Sequence, residues 1–235
     1  MIEPRRHSAV SLVLREFAAS LDASEWTFVL IGSRANAAWL ANRARREITR
    51  HRVEVRALPK DTLTRDEYSK LLMIPQFWES LPREAEHVLI FQTDSVPLRE
   101  SKHSIDEFLH WPYIGAPWPD GTVGNGGLSL RHRSVCIAAT ERYRHASPPS
   151  VSRLAEDVLF HEYVRDSATL SLPPTHVAAA FSTEAYRGAQ CDATHGTPAP
   201  SWGVHKPWAH EQSRRVYSRL CGQCPIIRDL KQLQH

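Results

Sequence analysis

The first 100 residues alternate between buried-strand and helix patterns, and this alternation restricts the fold more than any other feature of the sequence. Residues 26–32 (WTFVLIG) and 88–91 (VLIF) have the composition of buried strands, and residues 53–57 alternate between apolar and charged side chains. Helical signals lie between and before these runs: apolar spacing in residues 10–21, an alanine-rich stretch at 35–48, and a capping box that begins at Thr64. Strands that alternate with helices predict an α/β fold with a parallel, doubly wound sheet.

The second half of the chain has less regular patterns. Helices are predicted at residues 105–111, 134–143, 154–165 and 210–220, with a short strand at 128–130 and a turn-rich segment at 188–201. The Ser/Pro loop at residues 145–150 is too short to link two domains, so we expect the 235 residues to form a single domain.

Charge and hydropathy exclude several classes of protein. The 29 Lys and Arg residues nearly balance 26 Asp and Glu residues, without the focused basic surface that predicts nucleic-acid binding. No run reaches the ~20 apolar residues that cross a membrane, and Arg15 and Glu16 interrupt the first apolar stretch too early for a signal peptide. We therefore expect a cytoplasmic protein. Residues 43–56 are rich in arginine, which favours a solvated face over peripheral contact with a membrane.

The four cysteines include one C-x-x-C motif, formed by Cys221 and Cys224. One such pair cannot complete a four-thiolate zinc site, and the sequence has no second pair. We interpret these two residues, with Cys136 and Cys191, as unpaired thiols rather than as a redox or metal site.

Asp94 follows directly on the buried strand at residues 88–91. Ligands of open α/β sheets bind beyond the carboxyl ends of the strands, and a carboxylate there can hold Mg²⁺ or Mn²⁺ together with substrate phosphates. The alternative is a turn or helix-capping aspartate. The stretch Asn125, Gly126 and Gly127 allows the backbone to approach a ligand closely, although Asn-Gly is also the strongest signal for a hairpin turn.

Two further segments carry polar groups suited to chemistry. Glu156 and Asp157 begin a predicted helix, where they either complement the helix dipole or supply a general base. His205 and Lys206 stand between two tryptophans, and they are interpreted either as a metal ligand beside a phosphate-binding cation or as structural residues.

In their order along the chain, the segments FQTDS, YIGAPW, GNGGLSLR, EDVLF, FSTE and GVHKPW resemble a family of domains of unknown function related to GT-A glycosyltransferases. The resemblance covers residues 3–208. It implies one GT-A-like domain, a Rossmann-type mixed sheet flanked by helices. A donor-binding half (about 1–125) would precede an acceptor and catalytic half (about 126–210) and a carboxy-terminal helix (about 210–235). Residues 2–6 would be the exit of the family's first strand, whose buried part would lie before Met1.

The resemblance also implies roles for individual residues. Asp94 would be the remaining acid of a D-x-D metal motif, which here reads Thr-Asp-Ser, and His205 would complete the binding of Mn²⁺ or Mg²⁺. Asp157 would be the general base, and Glu156 would orient the acceptor. The donor-binding residues would be Glu3, Arg5, Thr93, Asp94, Asn125, Gly126, Gly127 and Lys206.

Together these features predict a metal-dependent glycosyltransferase that moves a sugar from a nucleotide-sugar donor to a carbohydrate or other hydroxyl acceptor, with inversion. One alternative is a catalytically inactive sugar-nucleotide-binding or scaffold protein with the same fold. A nucleotidyltransferase is a weaker alternative, because no glycine-rich basic loop for phosphate follows the first strand.

Overall fold

Two parallel strands form the amino-terminal part of the protein in a computed structural model, which describes residues 1–145, 155–184, 200–209 and 214–234. β1 (Thr27–Ser33) pairs along its whole length with β2 (Arg52–Leu58), and α1 (Val10–Ser20) and α2 (Ala37–Glu47) precede β1 and β2 respectively. Ile2 forms a parallel bridge to Ile31. The residues at the start of the chain therefore run beside β1.

An antiparallel sheet places the end of the next strand beside the glycine-rich segment. In this sheet β6 (Leu128–His132) lies between β3 (His87–Phe91) and β5 (Tyr113–Gly115). The expectation of an entirely parallel first half is therefore wrong: β3 takes its partner from the second half of the chain. Phe91 pairs with Leu128, so the turn that follows β3 meets the glycine-rich segment that precedes β6. There the Gln92 amide donates to the Gly127 carbonyl at 3.2 Å.

Three short strands bring the GVHKPW segment to the turn that follows β3. β4 (Ser95–Pro97) pairs in antiparallel fashion with β8 (Gly203–His205), which pairs in parallel with β7 (Ser182–Thr183). In this register Ser95 lies opposite His205. The pairing therefore joins the turn after β3 to the GVHKPW segment.

Helices cover the sheets, mostly where the sequence predicts them. Thr64 and Glu67 form the expected capping box, and α3 (Arg65–Leu72) ends before Pro75, which begins a separate short helix. The expected single carboxy-terminal helix is two helices, because Pro225 has no backbone N–H to continue the first and instead precedes the second. The remaining helices are α4 (Pro75–Glu79), a 3₁₀ helix (Ile105–Phe108), α5 (Arg133–His145), α6 (Glu156–Arg165), α7 (Thr175–Phe181), α8 (Arg214–Gln223) and α9 (Ile226–Gln232).

Apolar packing fixes β3 in the interior. Phe91 stacks on Phe17 of α1 with ring centroids 4.0 Å apart, and both belong to the larger of two apolar clusters. The smaller cluster contains Trp78, Tyr113 and Phe160. This mixed α/β domain, with sheets flanked by helices, confirms the predicted fold class.

The C-x-x-C motif lies where the two carboxy-terminal helices meet, with Cys221 in α8 and Cys224 between α8 and α9. Cys221 and Cys224 are free, buried thiols. Burial and the neighbouring Glu100 raise the pKa of Cys224 to about 12, so its reactive thiolate form is scarce at neutral pH. Cys191, the predicted loop at 146–150 and most of the turn-rich segment, 188–199, lie outside the described residues.

Candidate functional site

Two adjoining cavities lie beyond the end of β3, and every site residue predicted from the sequence lines one of them. The larger cavity, of about 350 Å³, is bounded by Glu3, Arg5, Thr93 and Asp94 among others. The smaller cavity, of about 130 Å³, is lined by Asn125, Gly126, Gly127, Glu156, Asp157, His205 and Lys206. Arg65, Tyr68 and Gln92 line both cavities and therefore mark the junction between them.

Asp94 and His205 meet in space although they are distant along the chain. Asp94 precedes β4 and His205 ends β8, so the pairing of these strands places the Asp94 Oδ1 atom 3.3 Å from the His205 Nε2 atom. The Lys206 amide donates to the Asp94 carbonyl at 2.8 Å and locks the two segments together. Lys206 adopts this position with a φ of 33°, a left-handed conformation that is strained for a residue with a side chain.

The other imidazole nitrogen determines the orientation of His205. Its Nδ1 atom lies 3.0 Å from Asn125 Oδ1 and 3.3 Å from Glu184 Oε2. Asn125 Oδ1 also accepts from the Gly127 amide at 3.0 Å, which identifies it as the oxygen of the side-chain amide. Both neighbours of Nδ1 are therefore acceptors, so Nδ1 carries a hydrogen and Nε2 faces Asp94 with either a proton or a lone pair.

The electrostatics of this pair suit a bound cation. Burial alone would lower the pKa of His205, but the contacts with Asp94 and Glu184 outweigh it and raise the pKa to about 9. Burial would likewise raise the pKa of Asp94, yet the neighbouring imidazole and Lys206 hold it below its usual value. At neutral pH Asp94 is therefore an ionised carboxylate and His205 an imidazolium, and a metal ion bound by both would replace the proton on Nε2.

The atoms that face each other also fit a divalent cation. Asp94 Oδ1 and His205 Nε2 are both buried and face each other, and among the described residues neither has a partner in hydrogen-bond geometry. Two atoms that bind one octahedral ion at about 2.1 Å lie about 3 Å apart, close to the 3.3 Å found here. Within the described ranges no three His, Cys, Asp or Glu side chains form a metal-binding group. An ion bound here would therefore take further ligands from substrate phosphates and water, as Mg²⁺ commonly does.

Close packing explains why glycine occupies positions 126 and 127. A Cβ atom at Gly127 would lie 2.0 Å from the His205 Cε1 atom, and one at Gly126 would lie 2.4 Å from Glu156 Oε1. The alternative of a two-residue hairpin turn is wrong, because the antiparallel strands β5 and β6 are joined by a long loop, residues 116–127. The glycines let this loop lie directly against the histidine and the acidic pair.

Gly127→Ala is expected to displace the His205 ring, because no Cβ atom can occupy the 2.0 Å gap without movement. Overpacking of this kind typically costs about 1–3 kcal/mol of unfolding free energy. Urea denaturation would measure the loss. Gly222→Ala is the control: nothing lies within 4 Å of the added Cβ atom in α8, so stability should stay the same or rise slightly. Equal stability of Gly127→Ala and the wild type would contradict the packing argument.

Glu156 lines the smaller cavity, and both of its carboxylate oxygens contact protein groups. Its Oε1 atom lies 3.1 Å from Arg131 Nη2, and its Oε2 atom accepts from Ser69 Oγ at 2.9 Å. Arg131 is fully buried, with its guanidinium 4.8 Å from the centre of the Phe160 ring. Removing one partner of a buried ion pair typically costs about 3–5 kcal/mol. Glu156 therefore joins α6 to α3 and β6, and both its oxygens are occupied by protein groups.

Asp157, the next residue, is better placed to exchange a proton. Its Oδ2 atom accepts from the Gly126 amide at 3.2 Å, and its Oδ1 atom accepts from the Val158 amide at 2.9 Å. Burial and the adjacent charge of Glu156 raise the pKa of Asp157, and Arg131 opposes them only in part. A carboxylate with a raised pKa on a cavity wall is suited to general-base catalysis near neutral pH.

Charged pairs complete the walls of the two cavities. The Arg5 guanidinium binds both oxygens of the buried Glu3 carboxylate, at 2.8 and 2.9 Å. Thr93 Oγ1 lies 3.4 Å from the same carboxylate. Lys206 Nζ lies 3.6 Å from Glu184 Oε1 at the smaller cavity. Glu184 and Arg131 were absent from the sequence-based set of site residues, although both occur in segments that carry the family resemblance.

This fold is that of GT-A glycosyltransferases. Mouse xyloside xylosyltransferase 1, in its apo form, matches with a TM-score of 0.54 and 10% identity over 87% of this chain and 95% of its own. Core-mannan synthase A from Aspergillus fumigatus, in its Mn/GDP form, matches with a TM-score of 0.50 and 6% identity over 69% of this chain and 68% of its own. At such identities the likeness establishes the fold alone.

The chain belongs to the family described as "Protein of unknown function (DUF5672)", whose model matches residues 52–205. A comparison with curated proteins finds no match. In the parts of the chain that the structure describes, no helix is both long and apolar enough to cross a membrane.

Proposed function

We propose that this protein is a metal-dependent glycosyltransferase that transfers a sugar from a nucleotide-sugar donor to a hydroxyl acceptor. The observation that carries the proposal is the pair Asp94 and His205. Asp94 lines the larger cavity and His205 the smaller, and their unpartnered atoms are 3.3 Å apart where the cavities adjoin. A metal held by these two residues would lie between the two cavities.

Each of the two cavities would bind a different part of the substrates. The larger one has the volume and the polar lining, including Arg5 and Thr93, to bind the nucleotide part of a donor. The smaller one contains the acid Asp157 and the cation Lys206, which suits the transferred sugar and the acceptor hydroxyl. The diphosphate would then lie at the junction. Core-mannan synthase A, which shares this fold, is known in a form with manganese and GDP.

The chain's own groups would bind the ion and help the donor bond break. Asp94 and His205 would hold Mn²⁺ or Mg²⁺, which when bound stabilises the negative charge that develops on the departing diphosphate. Asn125 and Glu184 would keep His205 oriented through its Nδ1 atom, because both contact that nitrogen and leave Nε2 free for the ion. Lys206 would add a second positive charge beside the leaving group.

Asp157 would accept the proton in the transfer step. The acceptor oxygen attacks the anomeric carbon of the sugar, the bond from that carbon to the diphosphate oxygen breaks, and the hydroxyl proton moves to the Asp157 carboxylate. A single base beside the acceptor favours direct displacement and therefore inversion. Glu156 and Arg131 position Asp157 and the glycine-rich loop, since their contacts reach α6, α3 and β6.

A screen of nucleotide sugars tests this function. We expect at least one donor to be hydrolysed slowly in the presence of MnCl₂, and the release of nucleoside diphosphate to stop when EDTA is added. Calorimetric titration of the same donors, with and without Mn²⁺, separates binding from turnover. Binding without turnover across a panel of donors and acceptors would favour an inactive sugar-nucleotide-binding protein. Absence of both binding and turnover would refute the proposal.

A further inference from the structure

Tyr68 has a buried hydroxyl group without a hydrogen-bond partner in the described ranges of the chain. The side chain belongs to α3 and lines both cavities, which places it at their junction. Its hydroxyl oxygen is buried and has no hydrogen-bond partner among the described residues. The Gln92 amide is close enough to influence the hydroxyl, but not in hydrogen-bond geometry. Because buried hydroxyl groups are nearly always paired, this one indicates a partner that the protein itself does not supply.

The position of Tyr68 is fixed by its neighbours in α3. Ser69, the next residue, donates to the buried Glu156 carboxylate at 2.9 Å and so fastens α3 to α6. The amide of Tyr68 itself bonds to the Thr64 carbonyl at 2.9 Å, in the first turn after the capping box. These contacts fix the backbone of α3 at Tyr68, from which the side chain reaches the junction of the cavities.

We infer that the Tyr68 hydroxyl donates a hydrogen bond to the sugar-bearing phosphate of a nucleoside diphosphate donor, an inference that rests on the proposed function. The junction is where Asp94 of one cavity and His205 of the other come within 3.3 Å. Arg65 also lines both cavities there and supplies a cation suited to phosphate. A neutral phenol can donate a hydrogen bond to a phosphate oxygen, whereas the negative charge of a carboxylate would repel the phosphate.

The protonation state of Tyr68 agrees with this role. Burial, assisted by the charge of Glu156, raises the pKa of Tyr68 above its ordinary value. The phenol therefore keeps its proton at neutral pH and remains a donor. A hydrogen bond from a neutral donor to an ionised phosphate is stronger than one between neutral groups.

Tyr68→Phe separates a ligand-binding role from a structural one. The four common ribonucleoside diphosphates would be titrated calorimetrically in MnCl₂, alongside the corresponding monophosphates. For the diphosphate that the wild type binds, we expect the variant to bind about 10- to 100-fold more weakly, as for loss of a hydrogen bond to a charged group. The monophosphate should bind wild type and variant equally, because it lacks the outer phosphate.

Stability provides the second measurement. Since the hydroxyl bonds to none of the residues that the structure describes, its removal should leave the unfolding temperature of the free protein unchanged or slightly higher. Tyr163→Phe is the matched control: it lies on α6 outside both cavities, with its ring near Arg142, and should change no nucleotide affinity.

Each outcome supports or overturns a definite statement. If Tyr68→Phe binds the diphosphate as tightly as the wild type does, or loses stability, the inference is wrong while the proposed function stands. If mono- and diphosphate affinities fall equally, the hydroxyl contacts the nucleoside or the inner phosphate and the assignment to the outer phosphate is wrong. If the wild type binds none of the four diphosphates, the proposed function fails and the inference fails with it.

Discussion

Asp94→Asn is expected to reduce metal-dependent donor turnover by about 10³-fold or more while preserving the fold. Stabilisation of a developing charge by a bound metal is worth several kcal/mol, and each 1.36 kcal/mol corresponds to a tenfold change in rate. The substitution keeps the shape of the side chain and the carbonyl that accepts from the Lys206 amide. It removes only the negative charge that faces His205 Nε2.

The loss should affect function far more than stability. His205 retains Glu184 as a carboxylate neighbour at 3.3 Å, so its imidazolium form is not left without a counter-charge. We therefore expect the free energy of unfolding to fall by at most about 3 kcal/mol, the upper value for a lost interaction with a charged group. In thermal unfolding, Mn²⁺ should raise the midpoint of the wild type and leave that of Asp94→Asn unchanged.

Asp61→Asn is a suitable control for the loss of one negative charge, because Asp61 is exposed and lines neither cavity. Its response to Mn²⁺ should equal that of the wild type. An Asp94→Asn variant that still shows the full Mn²⁺-dependent stabilisation would refute the assignment of Asp94 as a metal ligand. Retention of that stabilisation with loss of turnover would instead place Asp94 in contact with the substrate.

Local sequence patterns were sufficient to predict much of the scaffold. The apolar run before Gln92 predicted β3, and the capping box at Thr64 predicted the start of α3, because both depend on short-range physical rules. These rules also predicted that Asp94 would follow the end of a buried strand. They did not predict the partner of β3, because strand pairing with β6 depends on the packing of distant segments.

The contact between Asp94 and His205 could not be predicted from spacing. It depends on the pairing of β4 with β8, and strands of three residues are too short to show a period. Only the order of motifs, through the family resemblance, suggested that the two residues act together. Arg131 shows a related limit. From sequence alone an arginine is expected at the surface, but β6 is buried almost throughout and Arg131 lies among aromatic rings.

Asp157→Asn is expected to lower the transfer rate by about 10²–10⁴-fold, the usual contribution of a general base, while donor affinity stays within about threefold of the wild type. In the wild type the Gly126 amide donates to Asp157 Oδ2 at 3.2 Å. The side-chain oxygen of the asparagine can still accept this hydrogen bond, so the glycine-rich loop should keep its position. Asp166→Asn, at the exposed end of the same helix, is the control and should leave the rate unchanged.

The pH dependence of transfer distinguishes a base from a residue that only binds substrate. A base must be unprotonated, so the wild-type rate should fall as the pH drops through the raised pKa of Asp157, above the ordinary aspartate value of about 3.9. This acidic limb should be absent from the residual activity of Asp157→Asn, because an amide does not titrate. If the variant keeps both the wild-type rate and the limb, another group takes the proton.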